Sequence, residues 1–214
     1  MNEIRPIQWS DGKLWLLDQT RLPLEEVTLE LDRCQQAIDA IHDMQVRGAP
    51  AIGVTAAYAM AMAAREISAT SPDEYMTQLE DAASRVAAAR PTAVNLFWAV
   101  ERMVRLAKSD PDPQSMPERL LAEAQRMYQE DEEINRKMGS MGIELMPDGG
   151  AVLTHCNTGA LATTGFGTAL GVIRAGWEAG KRFQVYNTET RPWLQGARLT
   201  SWEFQQLGIP ATLL

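Results

Sequence analysis

The amino-acid sequence points to an α/β protein: a mostly helical N-terminal domain over residues 1–146, then the start of a parallel-sheet domain over residues 147–214. Three observations carry this reading. Apolar residues recur at helical spacing from Asp32 to Leu145. The character of the chain changes at Pro147-Asp148-Gly149-Gly150. From Ala151 onward, short apolar runs alternate with helical ones. Strand, helix, strand, helix, strand is the order of a doubly wound sheet. A parallel sheet needs both faces covered and usually more than three strands. A chain that stops on its third strand is therefore expected to be the first part of a larger α/β protein.

The elements follow in order. Ile7-Gln8-Trp9 and Lys13 to Asp18 flank Ser10-Asp11-Gly12, and Asp-Gly between short apolar runs is a hairpin signal. Val27 to Leu31 alternates and is expected to be a third strand. Asp32-Arg33-Cys34-Gln35 has capping-box spacing, with Ala37, Ile38, Ile41 and Met44 following at helical intervals. Pro50 suits the first turn of the next helix, an Ala-rich one expected to be buried on most sides. Ser71-Pro72-Asp73-Glu74 is a stronger capping box, with Tyr75, Leu79, Ala82 and Val86 inward. Arg90-Pro91 ends that helix. Another begins near Thr92, with Val94, Phe97, Val100 and Val104 expected inside. Asp110 to Pro113 is a loop. Ser115-Met116-Pro117-Glu118 opens a long helix reaching about Leu145, its stripe being Leu121, Ala124, Met127, Ile134, Met138 and Met141. Asp131 falls on that stripe, so its carboxylate is expected to bond to a neighbouring segment. Then come a short buried strand at Ala151–His155 and a Gly/Thr-rich turn from Asn157 to Gly167. That turn enters a helix running to about Gly180. A strand at Arg182–Tyr186, a helix from Gly196 to Leu207 and a strand at Ala211–Leu214 complete the chain.

Composition narrows the function. The chain has 214 residues, 45% hydrophobic and 22% charged, which is ordinary for a globular protein and excludes a disordered or fibrous one. A net charge of −8 argues against nucleic acid as the main partner, since phosphate backbones call for a basic surface. Two cysteines far apart, Cys34 and Cys156, give no disulfide framework, and a reducing cytoplasm is the simplest home. Two histidines without close Cys/His spacing give a zinc site little to stand on. The most apolar stretch, Ala49 to Ala64, falls short of the ~20 residues needed to span a bilayer. The N-terminus lacks the basic-then-apolar order of a signal peptide.

Four places carry candidate chemistry. Cys156 follows a strand and precedes a Gly-rich turn, at the sheet edge where ligands bind in open α/β folds. It is either a reactive, charge-stabilising thiol or a small packed hydrophobe. Arg47-Gly48-Ala49-Pro50 places a cation beside helix N-terminal amides, a phosphate-binding arrangement, and Arg90-Pro91-Thr92 repeats it. Each arginine could instead end a helix and reach solvent. Glu189-Thr190-Arg191-Pro192 shares the sheet edge with Cys156, and Gln195-Gly196-Ala197-Arg198 opens the next helix. These residues form either a polar rim or a salt-bridged loop and cap. The turn after the first parallel strand lacks GxGxxG spacing, and no GxSxG elbow occurs. His155 is a poor base for Cys156, because neighbours on a strand point to opposite faces.

Four ordered runs then become specific. They are Val46-Arg47-Gly48-Ala49-Pro50-Ala51-Ile52-Gly53, Arg90-Pro91-Thr92-Ala93-Val94-Asn95-Leu96, His155-Cys156-Asn157-Thr158-Gly159 and Glu189-Thr190-Arg191-Pro192-Trp193-Leu194-Gln195-Gly196-Ala197-Arg198-Leu199-Thr200. In this order they resemble the motifs of the methylthioribose-1-phosphate isomerases. That branch shares a larger family with regulatory subunits of the translation-initiation guanine-nucleotide exchange factor. The resemblance implies a helical N-terminal domain and a Rossmann-like C-terminal one. It implies that Arg47, Gly48, Ala49, Arg90 and Gln195 contact substrate, and that Cys156 stabilises the transition state. It implies conversion of 5-methylthioribose 1-phosphate to 5-methylthioribulose 1-phosphate in methionine salvage. No cofactor or metal is expected. The expected partner is a small sugar phosphate, with no nucleic acid and no membrane, in a cytoplasmic homodimer. The family's aspartate in a GADRI-type motif and its following Asn-Lys pair are expected beyond Leu214. Alternatives are an isomerase of ribose 1,5-bisphosphate or 5-deoxyribose 1-phosphate, or a regulatory subunit that binds sugar phosphates or nucleotides without catalysis.

Overall fold

The chain opens on the expected hairpin. In the computed structural model, which describes residues 3–214, β1 (Ile7–Ser10) pairs antiparallel with β2 (Lys13–Leu17) in the register Ser10↔Lys13. Asp11 and Gly12 make the turn with φ of 53° and 74°, the paired positive values that a two-residue hairpin needs. β3 (Thr28–Leu31) joins β2 to complete a three-stranded sheet.

Helices follow. α1 is Cys34–His42, α2 Ala49–Glu66, α3 Pro72–Ala88, α4 Val94–Ser109 and α5 Met116–Gly142. The α1 cap lies one residue later than the sequence suggests. Arg33 is the N-cap, and the Gln36 side chain reaches back to accept from the Asp32 and Arg33 amides. α2 is buried continuously from Ala51 to Ala64, as its alanine content implies. Ser71 caps α3 by accepting from the Glu74 amide, and Tyr75, Leu79, Ala82 and Val86 are buried.

Two apolar stripes differ from expectation. On α4 the buried face is Leu96, Ala99, Val100, Met103 and Ala107, while Val94 is 77% exposed. The rotation is set by close packing. A Cβ added to Gly53 of α2 would lie 3.0 Å from the Asn95 carbonyl oxygen, so the two helix starts nearly touch. On α5, Met116, Leu120, Ala124 and Met127 are buried, but Ile134, Met138 and Met141 are exposed. Beyond Glu130 the buried line is instead Asn135, Gly139 and Gly142. A Cβ on Gly139 would meet the Phe166 ring at 2.6 Å, and one on Gly142 would meet Val172 at 2.4 Å. Small residues that admit close approach win over larger apolar ones. Asp131 lies on that same line and accepts from the Thr164 amide and hydroxyl, both at 2.9 Å, as a buried acid requires.

A short 3-10 turn (Ile143–Leu145) leads to the second sheet. β4 (Ala151–Thr154), β5 (Gln184–Asn187) and β6 (Ala211–Leu213) run parallel in that order. α6 (Ala169–Glu178) connects the first pair, and α7 (Ser201–Leu207) the second. The helix expected at Gly196 begins as a π-helical segment, Gly196–Thr200, before α7. β4 is not fully buried. Thr154 faces the core, but Leu153 is 62% exposed, because the outward face of the sheet carries no layer among the described residues.

The chain forms two units, and their limits differ from a division at residue 146. The helical unit is Ile7–Leu16 and Thr28–Gln129. Its core joins Ile7, Leu14 and Leu16 to α1, α2, α3, α4 and the first half of α5. The sheet unit is Leu17–Val27 and Glu130–Leu214, with the described residues up to Pro6. Its core gathers Ile4, Leu22, Leu161, Leu170, Ile173, Val185, Trp202 and Phe204. The second half of α5 sides with the sheet unit through the Asp131, Gly139 and Gly142 contacts just described.

Candidate active site

In the sheet unit the candidate residues gather at the carboxyl ends of β4 and β5. Cys156 stands two residues past β4. It is half-buried, carries a free thiol and has φ of 65°, an unusual backbone for a residue with a Cβ. Its backbone is gripped on both sides. The amide donates to Thr190 Oγ1 at 3.1 Å, and the carbonyl accepts from the Thr200 hydroxyl. Thr190 belongs to the loop after β5, so the two strand ends are tied together. The His155 ring is engaged by the same loop, with Nδ1 2.7 Å from Thr188 Oγ1.

Behind the Cys156 turn lies Glu203, wholly without solvent exposure. Asn157 Nδ2 donates to it at 2.6 Å, the Ala160 amide at 2.6 Å and the Leu161 amide at 3.4 Å. Burial pushes its carboxyl up to about 7, against the pull of these donors and of the Arg174 charge. The sequence reading missed Glu203. Its signal was an acid inside the apolar run Trp202-Glu203-Phe204, the same signal that singled out Asp131.

The polar loop after β5 separates into parts. Glu189 and Arg191 pair with each other at the surface, at 2.6 Å. Arg198 donates to the carbonyls of Leu22 and Thr20, which fastens the 17–27 segment to the sheet unit. Both are therefore structural contacts of the loop-and-cap kind. Gln195 is half-buried and stands immediately before the π-helical segment, on the same sheet edge as Cys156.

In the helical unit, Arg47 directly precedes the N-cap of α2, Gly48, and Arg90 lies three residues before the N-cap of α4, Ala93. Both arginines and Gly48 are half-buried, and Ala49 is exposed. Because Gly53 packs against Asn95, the two helix starts lie side by side, and each arginine stands a few residues before one of them. A phosphate clamp calls for cations beside helix N-terminal amides. Cys34, by contrast, is fully buried, and burial pushes its thiol up to about 12. Among the described residues no group of three His, Cys, Asp or Glu side chains is placed to hold a metal ion, and no helix is long and apolar enough to cross a membrane.

Residues 45–214 match the model of the initiation factor 2 subunit family. The chain is 56% identical, over 212 residues, to the methylthioribose-1-phosphate isomerase of Geotalea uraniireducens, covering 98% of this chain and 61% of that protein. The chain thus spans about three fifths of the length of the curated relatives it matches. Its structure is similar to that of 5-methylthioribose 1-phosphate isomerase from Pyrococcus horikoshii, with a TM-score of 0.92 at 35% identity, covering 98% of this chain and 59% of that one. It is also similar to a structure described as the delta subunit of translation initiation factor eIF-2B from A. fulgidus, with a TM-score of 0.88 at 46% identity, covering 99% and 62%.

Proposed function

The chain belongs to the initiation factor 2 subunit family, and we propose that within it the protein is an aldose–ketose isomerase converting 5-methylthioribose 1-phosphate to 5-methylthioribulose 1-phosphate. The observation that carries this reading is the 56% identity to a protein of that name across nearly the whole chain. We assign Arg47 and Arg90 to the substrate phosphate, with Gly48 and Ala49 supplying helix amides. Gln195 contacts the sugar. Cys156 stabilises charge as it develops on the carbons that exchange hydrogen. The chemical difficulty is the phosphate on the anomeric oxygen, which blocks easy ring opening. An acid must protonate the ring oxygen, the part assigned to the family's GADRI-type aspartate. Hydrogen then passes from C2 to C1, through an enediol or as a hydride. Fixed dipoles in a pocket kept from water favour both routes. The protein acts in methionine salvage, in the cytoplasm, as a homodimer.

The test is turnover of 5-methylthioribose 1-phosphate by the full-length protein. Cys156→Ser is expected to keep substrate binding and to lower turnover strongly, while Cys34→Ser leaves turnover nearly unchanged. Wild-type turnover in Cys156→Ser overturns the assignment of the thiol. One observation favours a second reading, a regulatory subunit that binds sugar phosphates or nucleotides: the 46% identity to the chain described as an initiation-factor subunit. Binding of the sugar phosphate without any turnover in the full-length protein would select it.

A further inference from the structure

Cys156 holds a left-handed backbone, and the residues that follow it hang on one side chain. Glu203 collects three donors from the turn after β4: the Asn157 side chain, the Ala160 amide and the Leu161 amide. One helical turn earlier, Thr200 donates to the Cys156 carbonyl, and its Oγ1 lies 3.3 Å from the Asn157 Nδ2 donor. The approach is so close that a Cβ on Gly159 would lie 2.2 Å from Glu203 Oε2. A side chain at that position and this carboxylate exclude each other. A carboxylate is a costly acceptor here. It is entirely out of water, all three donors are neutral, and the cation nearest in effect, Arg174, bonds elsewhere, to Glu178. Burying a charge that makes no ion pair is a poor way to stabilise a fold. What it does well is hold several donors at once in a single geometry.

We infer that Glu203 is a positioning residue, which sets the turn that presents the Cys156 thiol. It acts through Asn157, Ala160 and Leu161, with Thr200 as a second brace. This deepens the isomerase reading and rests on it only in giving Cys156 a chemical role.

The experiment needs no substrate. Alkylation of Cys156 by iodoacetamide is followed by peptide mass spectrometry, with buried Cys34 reporting the fold of the helical unit and the cooperative melt reporting that of the sheet unit. Glu203→Met keeps length and volume but removes the acceptor and the buried charge. It is expected to leave Cys34 protected and to lower the melting temperature, because the Ala160 and Leu161 amides lose their acceptor, while Cys156 reacts at least threefold faster on a loosened turn. A residue with a merely structural role would lower the melt and leave the Cys156 rate unchanged. Glu203→Gln keeps an oxygen for the Ala160 amide and is expected nearer the wild-type rate. A Cys156 rate within twofold of wild type in Glu203→Met, with Cys34 protected, overturns the inference. If Cys34 reacts or the cooperative melt is lost in Glu203→Met, showing a fold that has opened, Asn157→Ala decides by the same threefold and twofold thresholds. Failure of the isomerase reading would show instead as no turnover of 5-methylthioribose 1-phosphate by the full-length wild-type protein, and would leave these rates untouched.

Discussion

Two carboxylates of the sheet unit set its response to pH. Burial pushes Glu203 up to about 7 from an ordinary 4.5, and burial raises Asp131 as well. Between those values the unfolded chain has already lost a proton that the folded chain still holds. Stability therefore falls as pH rises from about 4.5 to about 7, by at most about 1.4 kcal/mol per unit for one group. Melting temperatures across this range are expected to decline in the wild type and to decline less in Glu203→Met. A rising melting temperature over the same interval would contradict the burial account. The arginines make a second prediction at this scale. Losing one charge-assisted contact to phosphate costs about 1.5–3 kcal/mol. Arg47→Ala and Arg90→Ala are each expected to weaken sugar-phosphate binding roughly ten- to a hundredfold. Calorimetric titration that finds either variant binding as the wild type does would remove that arginine from the clamp.

The elements show where local pattern yields to packing. α5 is one continuous helix, yet its two halves bury different chemistry. The first buries Leu120, Ala124 and Met127, and the second Asn135, Gly139 and Gly142. The second half depends on the absence of side chains. Phe166, which Gly139 meets, also has the Arg136 and Arg174 guanidinium groups 5.0 Å and 4.8 Å from its ring centre. It has little room to yield. Gly139→Ala, which would otherwise favour a helix, is expected to destabilise the protein by about 1–3 kcal/mol through overpacking. Urea unfolding would measure this, and a gain in stability would show that Phe166 moves freely. The π-helical start of α7 is a second such case. Five residues wound more widely place Thr200 where its hydroxyl meets the Cys156 carbonyl. Extra residues of this kind often mark functional sites.

At the scale of the molecule, the parallel sheet is the exposed part. β6 is an edge strand with all three residues exposed, Leu214 adds apolar surface at its end, and Leu153 does so on β4 at the opposite edge. An open edge next to apolar side chains invites pairing with another chain. The 214-residue chain is expected to self-associate with rising concentration in sedimentation experiments. Leu153→Lys together with Leu213→Lys should reduce that association, and a strictly monomeric wild type would count against it.

Much of this molecule was legible in the residue order because the relevant physics is local. The Asp11-Gly12 turn, the Ser71 cap, the buried alanine helix and the βαβ alternation each depend on residues within a few positions of one another. The paired starts Arg47-Gly48-Ala49-Pro50 and Arg90-Pro91 and the strand end at Cys156 were legible for the same reason. The side of α4 and of the second half of α5 that turns inward was not. Periodicity gives the spacing of a stripe, whereas its direction depends on how near another backbone can come, as at Gly53 and Asn95 or Gly139 and Phe166. Nor was Glu203, 47 residues after Cys156 in the chain, tied by any local signal to the turn it holds. Only folding brings its carboxylate to the Asn157, Ala160 and Leu161 donors, because a buried charge must find its partners wherever the tertiary structure places them.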